Sequence, residues 1–215
     1  MKRLLPSLLA LLLFSAPACL CAADAISLPA PQKSGGMPLL DAISARQSSR
    51  NFADTELTPE QLSTLLWVAG GVNRADGKLT YGTAMNLQDM ILFVFTRSGT
   101  YRYDPAGHCL TLVKEGDHRA LTGTQPFVAK AAADLVYVQD MGKWKALKRK
   151  APEADILNCG FSHAGLSMQN VYLYAASQGW GAVTRLSFDK QALGQFLGLN
   201  PEQKFTLMIC VGPRQ

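Results

Sequence analysis

Two arginines four residues apart, Arg46 and Arg50, are the side chains of this sequence whose type and spacing are best suited to holding a ligand. A glutamine and two serines lie between them. Arginine presents a fixed fork of N–H donors that matches phosphate or carboxylate oxygens, and hydroxyl groups complete such a site. Residues 46–52, called the arginine segment below, therefore predict an anion-binding site. A solvated arginine pair is the simpler alternative, because most surface arginines contact only water.

Other side chains with catalytic potential lack the partners that they would need. Ser48 and Ser49 have no histidine nearby in the sequence that could activate a nucleophile, which argues against a hydrolase. His108, His118 and His163 show no metal-ligand spacing, so no metal site is predicted. We expect His108 and His118 to be solvated. His163 lies in an apolar helical pattern and is expected to be a structural histidine rather than an acid or base.

The composition describes one globular domain with a modest positive charge. The 215 residues are 48% hydrophobic and carry a net charge of +5, with a pI of about 9.0. Only residues 143–150, which include Trp144, form a dense basic run, and we expect a solvated face there. A nucleic-acid-binding protein usually gathers its charge on one stripe, so this class is not expected. A small anionic ligand fits the charge balance.

The N-terminus has the pattern of a secretory signal peptide. Lys2 and Arg3 precede an apolar stretch over residues 4–14, and small residues follow. The stretch is too short to span a bilayer. We therefore predict a signal peptide over residues 1–25 and a secreted or periplasmic location, with export in the unfolded state and cofactor capture afterwards. A lipoprotein attached through Cys19 is a lesser alternative, because the usual preceding leucine is missing.

Three cysteines follow this leader: Cys109, Cys159 and Cys210. In an oxidising compartment they permit one disulfide and a spare thiol, but not a disulfide framework. Cys210 lies in an apolar strand pattern, so we expect it in the core.

The pattern of the chain predicts an α+β domain whose helices deliver these candidate residues. Residues 26–37 read as an extended lead-in, and a helix over residues 38–45 carries the arginine segment at its end. Thr58, Pro59 and Gln61 form a capping box that starts a helix ending at Gly70. The remaining predictions are a polar loop (residues 73–89), strands over 90–95, 133–138, 181–186 and 204–211, a hairpin near 101–113, short helices over 115–121 and 125–131, and a helix over 189–197.

A longer helical pattern covers residues 156–178, followed by Gly179. Its interior is small or apolar on nearly every side. Such a helix must be buried, either centrally or against a second subunit.

Taken together, these segments resemble the nitroreductase family of FMN-dependent flavoproteins, and most of all its branch of thiazole and oxazole peptide dehydrogenases. The resemblance runs from about Leu39 to Gly212. It is carried by Arg46-Gln47-Ser48-Ser49-Arg50-Asn51-Phe52, by the loop at Thr80 to Gln88, by His163-Ala164-Gly165 through Leu173, and by Gly179-Trp180-Gly181-Ala182-Val183-Thr184-Arg185.

The resemblance implies a fold, a cofactor and an assembly. The fold would be a mostly antiparallel sheet flanked by helices, in a domain over residues 38–215 with a long helix buried in a homodimer interface. The cofactor would be FMN, bound where two subunits meet. The residues implied in binding it are Arg46, Gln47, Ser48, Arg50, Thr83, Ala84, Asn86, Gln88, Ala182, Val183, Thr184 and Arg214.

The sequence departs from the family pattern at several of these positions. Gly82 and Thr83 replace a Pro-Ser pair, Asp89 replaces a proline, and His163 replaces an acidic residue. An inward-pointing Asp89 beside a flavin would disfavour the anionic reduced form, because like charges repel. Arg214 stands where relatives continue with further basic residues.

Two functions follow as hypotheses. The first is an exported FMN-dependent oxidoreductase that moves electrons between flavin and a small organic molecule, with no side chain acting as nucleophile. The alternative is a periplasmic protein on the same scaffold that binds flavin or another anionic ligand without turnover.

Overall fold

A computed structural model describes residues 25–148 and 150–215, so the predicted signal peptide and Cys19 lie outside the described residues. The described residues fold into seven strands and five α-helices with short 3-10 turns between them. The strands are β1 (Ala25–Ser27), β2 (Met90–Phe95), β3 (Gly99–Asp104), β4 (Cys109–Glu115), β5 (Ala133–Asp140), β6 (Gly181–Arg185) and β7 (Gln203–Gly212). The helices are α1 (Leu39–Ala45), α2 (Pro59–Gly70), α3 (Gly142–Lys145), α4 (Glu153–Ser177) and α5 (Lys190–Leu197).

The strands form one antiparallel sheet in the order β1-β4-β3-β2-β5-β7-β6. Strand β5 lies near the middle and is buried along its length up to Gln139. This explains why residues 135–138 of the strand are all apolar rather than alternating. The lead-in begins with β1, which adds to one edge of the sheet, while β6 lies at the other edge.

Apolar side chains cover both faces of the sheet. On one face α2 and α4 pack against the strands around Leu65, Leu135, Met168 and Val171. On the other face α5 contributes Leu193 to a second cluster of core residues. Burial of such side chains stabilises a fold by about 1.5–3 kcal/mol each. Helices therefore flank the sheet as the α+β prediction requires.

Helix α2 starts where the capping box predicts. The Thr58 hydroxyl accepts a hydrogen bond from the Gln61 amide at 3.3 Å, and the Gln61 side chain accepts one from the Thr58 amide at 2.9 Å. Both bonds satisfy N–H groups that a helix start leaves without partners.

Helix α4 is the longest element, at 25 residues, and begins three residues before the predicted start. One face is buried against the sheet, including His163, Ala164 and Met168. The opposite face is open in the single chain, and Leu166 there is 54% exposed. Within the isolated chain, α4 is therefore buried on one face and not on nearly every side as predicted.

Several local predictions are only partly right. The segment predicted as a helix over 115–121 is the end of β4 followed by a 3-10 turn at Arg119–Thr122, and only Val128–Lys130 of the 125–131 segment is helical, again as a 3-10 turn. These stretches are too short for an α-helix without tertiary support. The basic run is not simply solvated, since Trp144 is buried.

The three cysteines of the described chain are free thiols, and Cys109 and Cys210 are buried. No helix within residues 25–148 and 150–215 combines the length and apolar character needed to cross a membrane.

Candidate functional site

Helix α1 ends at Ala45. The next residue, Arg46, has an extended backbone, but its amide still donates to the Ala42 carbonyl oxygen. The arginine segment then runs along the open edge of β6. Ser48 forms a parallel bridge with Ala182, and the Ser49 amide donates to the Ala182 carbonyl oxygen at 2.9 Å. Sequence reasoning had placed the arginines where a helix ends and the backbone opens, and this is confirmed.

The chain end closes the other side of the arginine segment. Phe52 bridges Arg214, and the Ala53 amide donates to the Pro213 carbonyl oxygen at 2.9 Å. The Arg214 guanidinium is fixed by a 3.0 Å hydrogen bond from Nε to the Trp180 carbonyl oxygen. Phe52 is buried in a cluster of core residues with Val183 and Cys210. The fold thus gathers Arg214 and the β6 residues around the arginine segment.

Tyr172 of α4 connects these parts, and sequence reasoning did not single it out. Its hydroxyl oxygen accepts from the Thr184 amide at 2.7 Å and lies 3.3 Å from Ser48 Oγ. Its ring supports the Arg46 guanidinium, which lies 5.4 Å from the ring centroid. The Arg50 guanidinium lies 5.9 Å from the Phe127 ring. Such cation–π contacts orient an arginine without neutralising its charge.

Neither Arg46 nor Arg50 pairs with an acidic side chain in the part of the chain that the structure describes. Arg46 is partly exposed and Arg50 is exposed. By contrast, the arginines Arg119 and Arg185 both have carboxylate partners. The arginine segment therefore offers two uncompensated positive charges beside hydroxyl groups, which is the donor set that a phosphate monoester requires.

A buried charged cluster connects β6 to the neighbouring parts of the fold. Arg185 lies 3.3 Å from Asp134 and donates to Cys210 Sγ at 2.9 Å and to Thr122 Oγ1 at 2.8 Å. Burial raises the pKa of Asp134 to about 6, while the Arg185 charge opposes the rise. This cluster fixes the strand that the arginine segment contacts.

Residues 80–88, the part of the predicted loop over 73–89 that is called the polar loop from here on, lie apart from the arginine segment. The Ala84 amide donates to His163 Nε2 at 2.8 Å, and Asn170 Nδ2 donates to the Thr80 carbonyl oxygen at 3.1 Å. Within the loop the Gln88 amide donates to Thr83 Oγ1 at 3.0 Å, and the Gln88 side chain donates to Asn86 Oδ1 at 3.4 Å. No hydrogen bond or ion pair between described residues joins this loop to the arginine segment.

Helix geometry explains the separation. Asn170 and His163 are seven residues apart, almost two full turns, so they share one side of α4. Tyr172 is two residues from Asn170, which places it about 200° around the helix axis. The polar loop and the arginine segment therefore lie on opposite flanks of α4 within one chain.

The structure also revises two single-residue predictions. Asp89 is fully buried and bonded to protein groups only, so it does not face an open ligand site within the chain. His108 is not solvated: its Nε2 lies 2.8 Å from Ser63 Oγ and its Nδ1 lies 2.8 Å from the Tyr103 hydroxyl. His163 has hydrogen bonds at both nitrogens, as expected of a structural histidine. Within the described residues there is no cluster of side chains able to hold a metal ion.

The model of the nitroreductase family matches residues 43–213, which span the arginine segment, the polar loop, α4 and β6. A protein from Ralstonia eutropha JMP134, provisionally described as a nitroreductase, has a crystal structure with 34% sequence identity and a TM-score of 0.82. The match covers 94% of this chain and 95% of that one. This chain belongs to the nitroreductase family. The predicted family and the predicted α+β fold are thereby confirmed. The general prediction of a flavin-dependent oxidoreductase is confirmed with them.

More distant nitroreductase-family folds are also similar to this chain. The NADPH:FMN oxidoreductase of Vibrio harveyi, solved with NAD+, is 21% identical with a TM-score of 0.61, covering 82% of this chain and 69% of that one. A chain of the Escherichia coli microcin synthetase McbBCD complex is 16% identical with a TM-score of 0.65, covering 85% and 76%. At these identities the likeness establishes the shared fold. No functionally curated protein matches the sequence.

Proposed function

We propose that this nitroreductase-family protein binds FMN and transfers electrons between the flavin and a small organic molecule outside the cytoplasm. The observation that carries the proposal is the arginine segment, which lies on the edge of β6. Among the described residues Arg46 and Arg50 have no acidic partner, and the Ser48 hydroxyl lies beside them. The family match covers the same residues.

The residues present fit a flavin phosphate. Two guanidinium groups and the Ser48 hydroxyl are donors to anionic oxygens, and Arg214 adds a third positive charge nearby. Arg46, Gln47, Ser48 and Arg50 would hold the phosphate and ribityl chain. Bound there, FMN would supply two-electron chemistry that no side chain of the protein provides. The task of the protein is to anchor the phosphate, orient the ring and exclude water.

A second copy of the chain is needed to complete such a site. The polar loop, with Thr83, Ala84, Asn86 and Gln88, is separated from the arginine segment by the body of α4. We propose that the arginine segment of one subunit meets the polar loop of the other across a homodimer interface. The ligand would then contact both chains.

The exposed apolar side chains support a second copy as the partner. Leu39, Leu40 and Ile43 of α1 are 63%, 77% and 51% exposed, and Leu166 of α4 is 54% exposed. Helix α1 packs beside α4, so all four side chains lie on one pair of neighbouring helices. Apolar residues grouped in this way are typical of an interface. The region adjoins both halves of the proposed site.

Binding without turnover is the second candidate, and one observation favours it. The Thr184 amide and the Ala182 carbonyl oxygen, on the strand expected beside the flavin, already bond to Tyr172 and Ser49. Backbone groups that are engaged within the protein are less able to tune a flavin ring. Anaerobic reduction of the flavin-loaded protein, followed by reoxidation with quinones and nitroaromatics, separates the candidates when free reduced FMN is the reference. An oxidoreductase should be reoxidised faster than free FMN through repeated cycles, whereas a binding protein should not.

The phosphate assignment is tested by titrating flavin-free protein with FMN and with riboflavin. Arg46→Ala and Arg50→Ala each remove a charge-assisted contact worth about 1.5–3 kcal/mol. The expected result is FMN affinity weaker by about ten- to hundredfold, with little change for riboflavin, which has no phosphate. Arg102→Ala, which alters an exposed arginine on β3, is the matched control and should change neither affinity. Equal losses for FMN and riboflavin would mean that the two arginines only support the fold.

The two-chain site is tested by complementation. A chain carrying Arg46→Ala and Arg50→Ala is mixed with a chain whose polar loop is disrupted by Gly82-Thr83-Ala84 deletion. Each homodimer should bind FMN poorly. The mixed dimer should regain about one strong site per dimer, because one arginine segment then faces one intact loop. Absence of any recovery in a verified mixed dimer would contradict the arrangement.

Export remains part of this proposal and rests on the signal-like pattern of residues 1–25. N-terminal sequencing of the protein from a periplasmic extract should find cleavage near residue 23 to 25. Recovery of the uncleaved chain in the cytoplasm alone would remove this part of the proposal without affecting the flavin site.

A further inference from the structure

A buried chain of hydrogen bonds ends on the backbone of the polar loop. Trp144 Nε1 donates to Asp89 Oδ2 at 2.7 Å, and Asp89 Oδ1 lies 2.8 Å from His163 Nδ1. His163 Nε2 in turn accepts from the Ala84 amide at 2.8 Å. Gln139 Nε2 donates to Asp89 Oδ2 at 2.8 Å. Asp89 is fully buried and His163 is 4% exposed, so water does not compete for these bonds.

The directions of these bonds determine where the imidazole proton lies. A backbone amide can only donate, so His163 Nε2 must present its lone pair to Ala84. The single proton of the neutral ring is then on Nδ1 and is donated to Asp89. Protonation of Nε2 would set two donors against each other and break the bond to Ala84. The hydrogen bond to Asp89 therefore selects the tautomer that can hold the loop.

Asp89 can select that tautomer because it remains a carboxylate. Burial favours its neutral form, but the hydrogen bonds from His163, Gln139 and Trp144 outweigh burial and lower the pKa below its usual value. A charged carboxylate with three donors has no proton of its own to offer. Asp89 Oδ1 therefore accepts from His163 Nδ1, with which it makes a 2.8 Å contact.

The loop that is held in this way is strained. Met85, Asn86 and Gln88 all have positive φ angles, at 51°, 54° and 47°. Non-glycine residues rarely adopt this conformation, since each costs of order 1–3 kcal/mol and persists only where the surrounding structure imposes it. Strain of this kind persists where a conformation is needed for binding. The bond from Ala84 to His163 lies directly before the strained stretch and joins it to α4.

We propose that Asp89 and His163 form a positioning pair, which fixes the shape of the polar loop through the Ala84 amide and so prepares the loop to receive the flavin ring. The inference rests on the proposed flavin site for its consequence, but the positioning itself is a property of the protein without ligand. Neither residue touches the flavin in this account. Both act through the loop backbone.

The pair is tested first without flavin, by nitrogen NMR of the His163 ring and by hydrogen exchange of the Ala84 amide. The expected state is a neutral ring with its proton on Nδ1 and a protected Ala84 amide. Asp89→Asn presents an amide that cannot satisfy His163, Trp144 and Gln139 together. It should shift the ring toward the other tautomer and speed Ala84 exchange by at least about tenfold.

Two substitutions of His163 provide a matched comparison in case Asp89→Asn does not fold. His163→Gln can accept from Ala84 and donate to Asp89, so it should keep the amide protected. His163→Leu fills similar space without either bond, so Ala84 exchange should accelerate by at least about tenfold. Equal exchange in the two variants, or an unchanged ring in Asp89→Asn, would overturn the positioning role.

Flavin binding gives the second readout. In His163→Leu the affinities for FMN and riboflavin should fall by the same factor, about fivefold or more, since the loop meets the ring that both ligands share. This pattern is the opposite of the phosphate-dependent loss expected for Arg46→Ala. Unchanged riboflavin affinity in His163→Leu would refute the link to the ring. If the wild-type protein binds no flavin at all, the proposed function fails, whereas the exchange measurements still decide whether the pair positions the loop.

Discussion

Replacement of Gly160 in α4 by alanine should destabilise the protein, although the same change stabilises most helices. A Cβ atom at Gly160 would overlap the Oε1 and Cδ atoms of Gln139 and lie 3.0 Å from its Nε2 atom. The Gln139 side chain cannot move aside freely, because it is fully buried and donates to Asp89 and to the Ile156 carbonyl oxygen, both at 2.8 Å. Glycine at this position therefore leaves room for a hydrogen bond to the buried carboxylate.

The magnitude follows from three effects. Overpacking costs about 1–3 kcal/mol, and loss of a hydrogen bond to a charged group costs about 1.5–3 kcal/mol. Higher helix propensity returns about 1 kcal/mol. Since relief of the clash and loss of the bond are partly the same event, we expect a net loss of roughly 2–4 kcal/mol.

Urea denaturation followed by circular dichroism measures this loss. Gly194→Ala in α5 is the matched control, because its nearest neighbour, Phe205 Cε2, would be at an ordinary 3.7 Å. It should stabilise the protein by about 0.5–1 kcal/mol. In a Gln139→Ala background the penalty of Gly160→Ala should disappear. A stabilising Gly160→Ala in the wild-type background would refute this account of the buried network.

Two further predictions concern acid stability and assembly. Burial lowers the pKa of His108, so its folded-state pKa lies below its unfolded value and its stabilising contribution is lost as the pH falls below about 6.5. The drop in unfolding free energy between about pH 7.5 and pH 5 should therefore be smaller in His108→Gln than in the wild-type protein. An equal drop would contradict the role of His108. Leu40→Lys places a charge in the exposed apolar region of α1 and should raise the dissociation constant of the proposed dimer at least tenfold in sedimentation experiments. The control Leu112→Lys, on an exposed part of β4, should leave this constant unchanged. Equal behaviour of the two variants would place the interface elsewhere.

The sequence predicted the parts of the fold that local chemistry determines. Thr58 and Gln61 start α2 through a local interaction, because the capping box satisfies backbone groups within four residues. The continuous apolar run of β2 likewise predicted a strand buried on both faces. By contrast, the short helices predicted over 115–121 and 125–131 are present only in part, as 3-10 helices at Arg119–Thr122 and Val128–Lys130. Their conformation depends on packing that no local pattern encodes.

The residues of the candidate site were likewise predicted from the sequence only in part. Arg46 and Arg50 stood out because closely spaced donors are a local signal. Tyr172 and the Asp89–His163 pair did not, because their importance arises only when α4 lies against β6 and the polar loop. His163 and Ala84 are 79 residues apart in sequence, and only the fold reveals their hydrogen bond. Asp89 looked like a possible flavin neighbour by position, whereas its three donors keep it inside the protein.

Retention of flavin through gel filtration tests the central claim most directly. The purified protein is incubated with excess FMN, separated from free ligand, and denatured so that the released flavin can be identified and counted. A two-chain site that anchors the phosphate predicts a yellow dimer that releases about one FMN for each chain. A colourless protein that retains no FMN after this treatment would contradict the account.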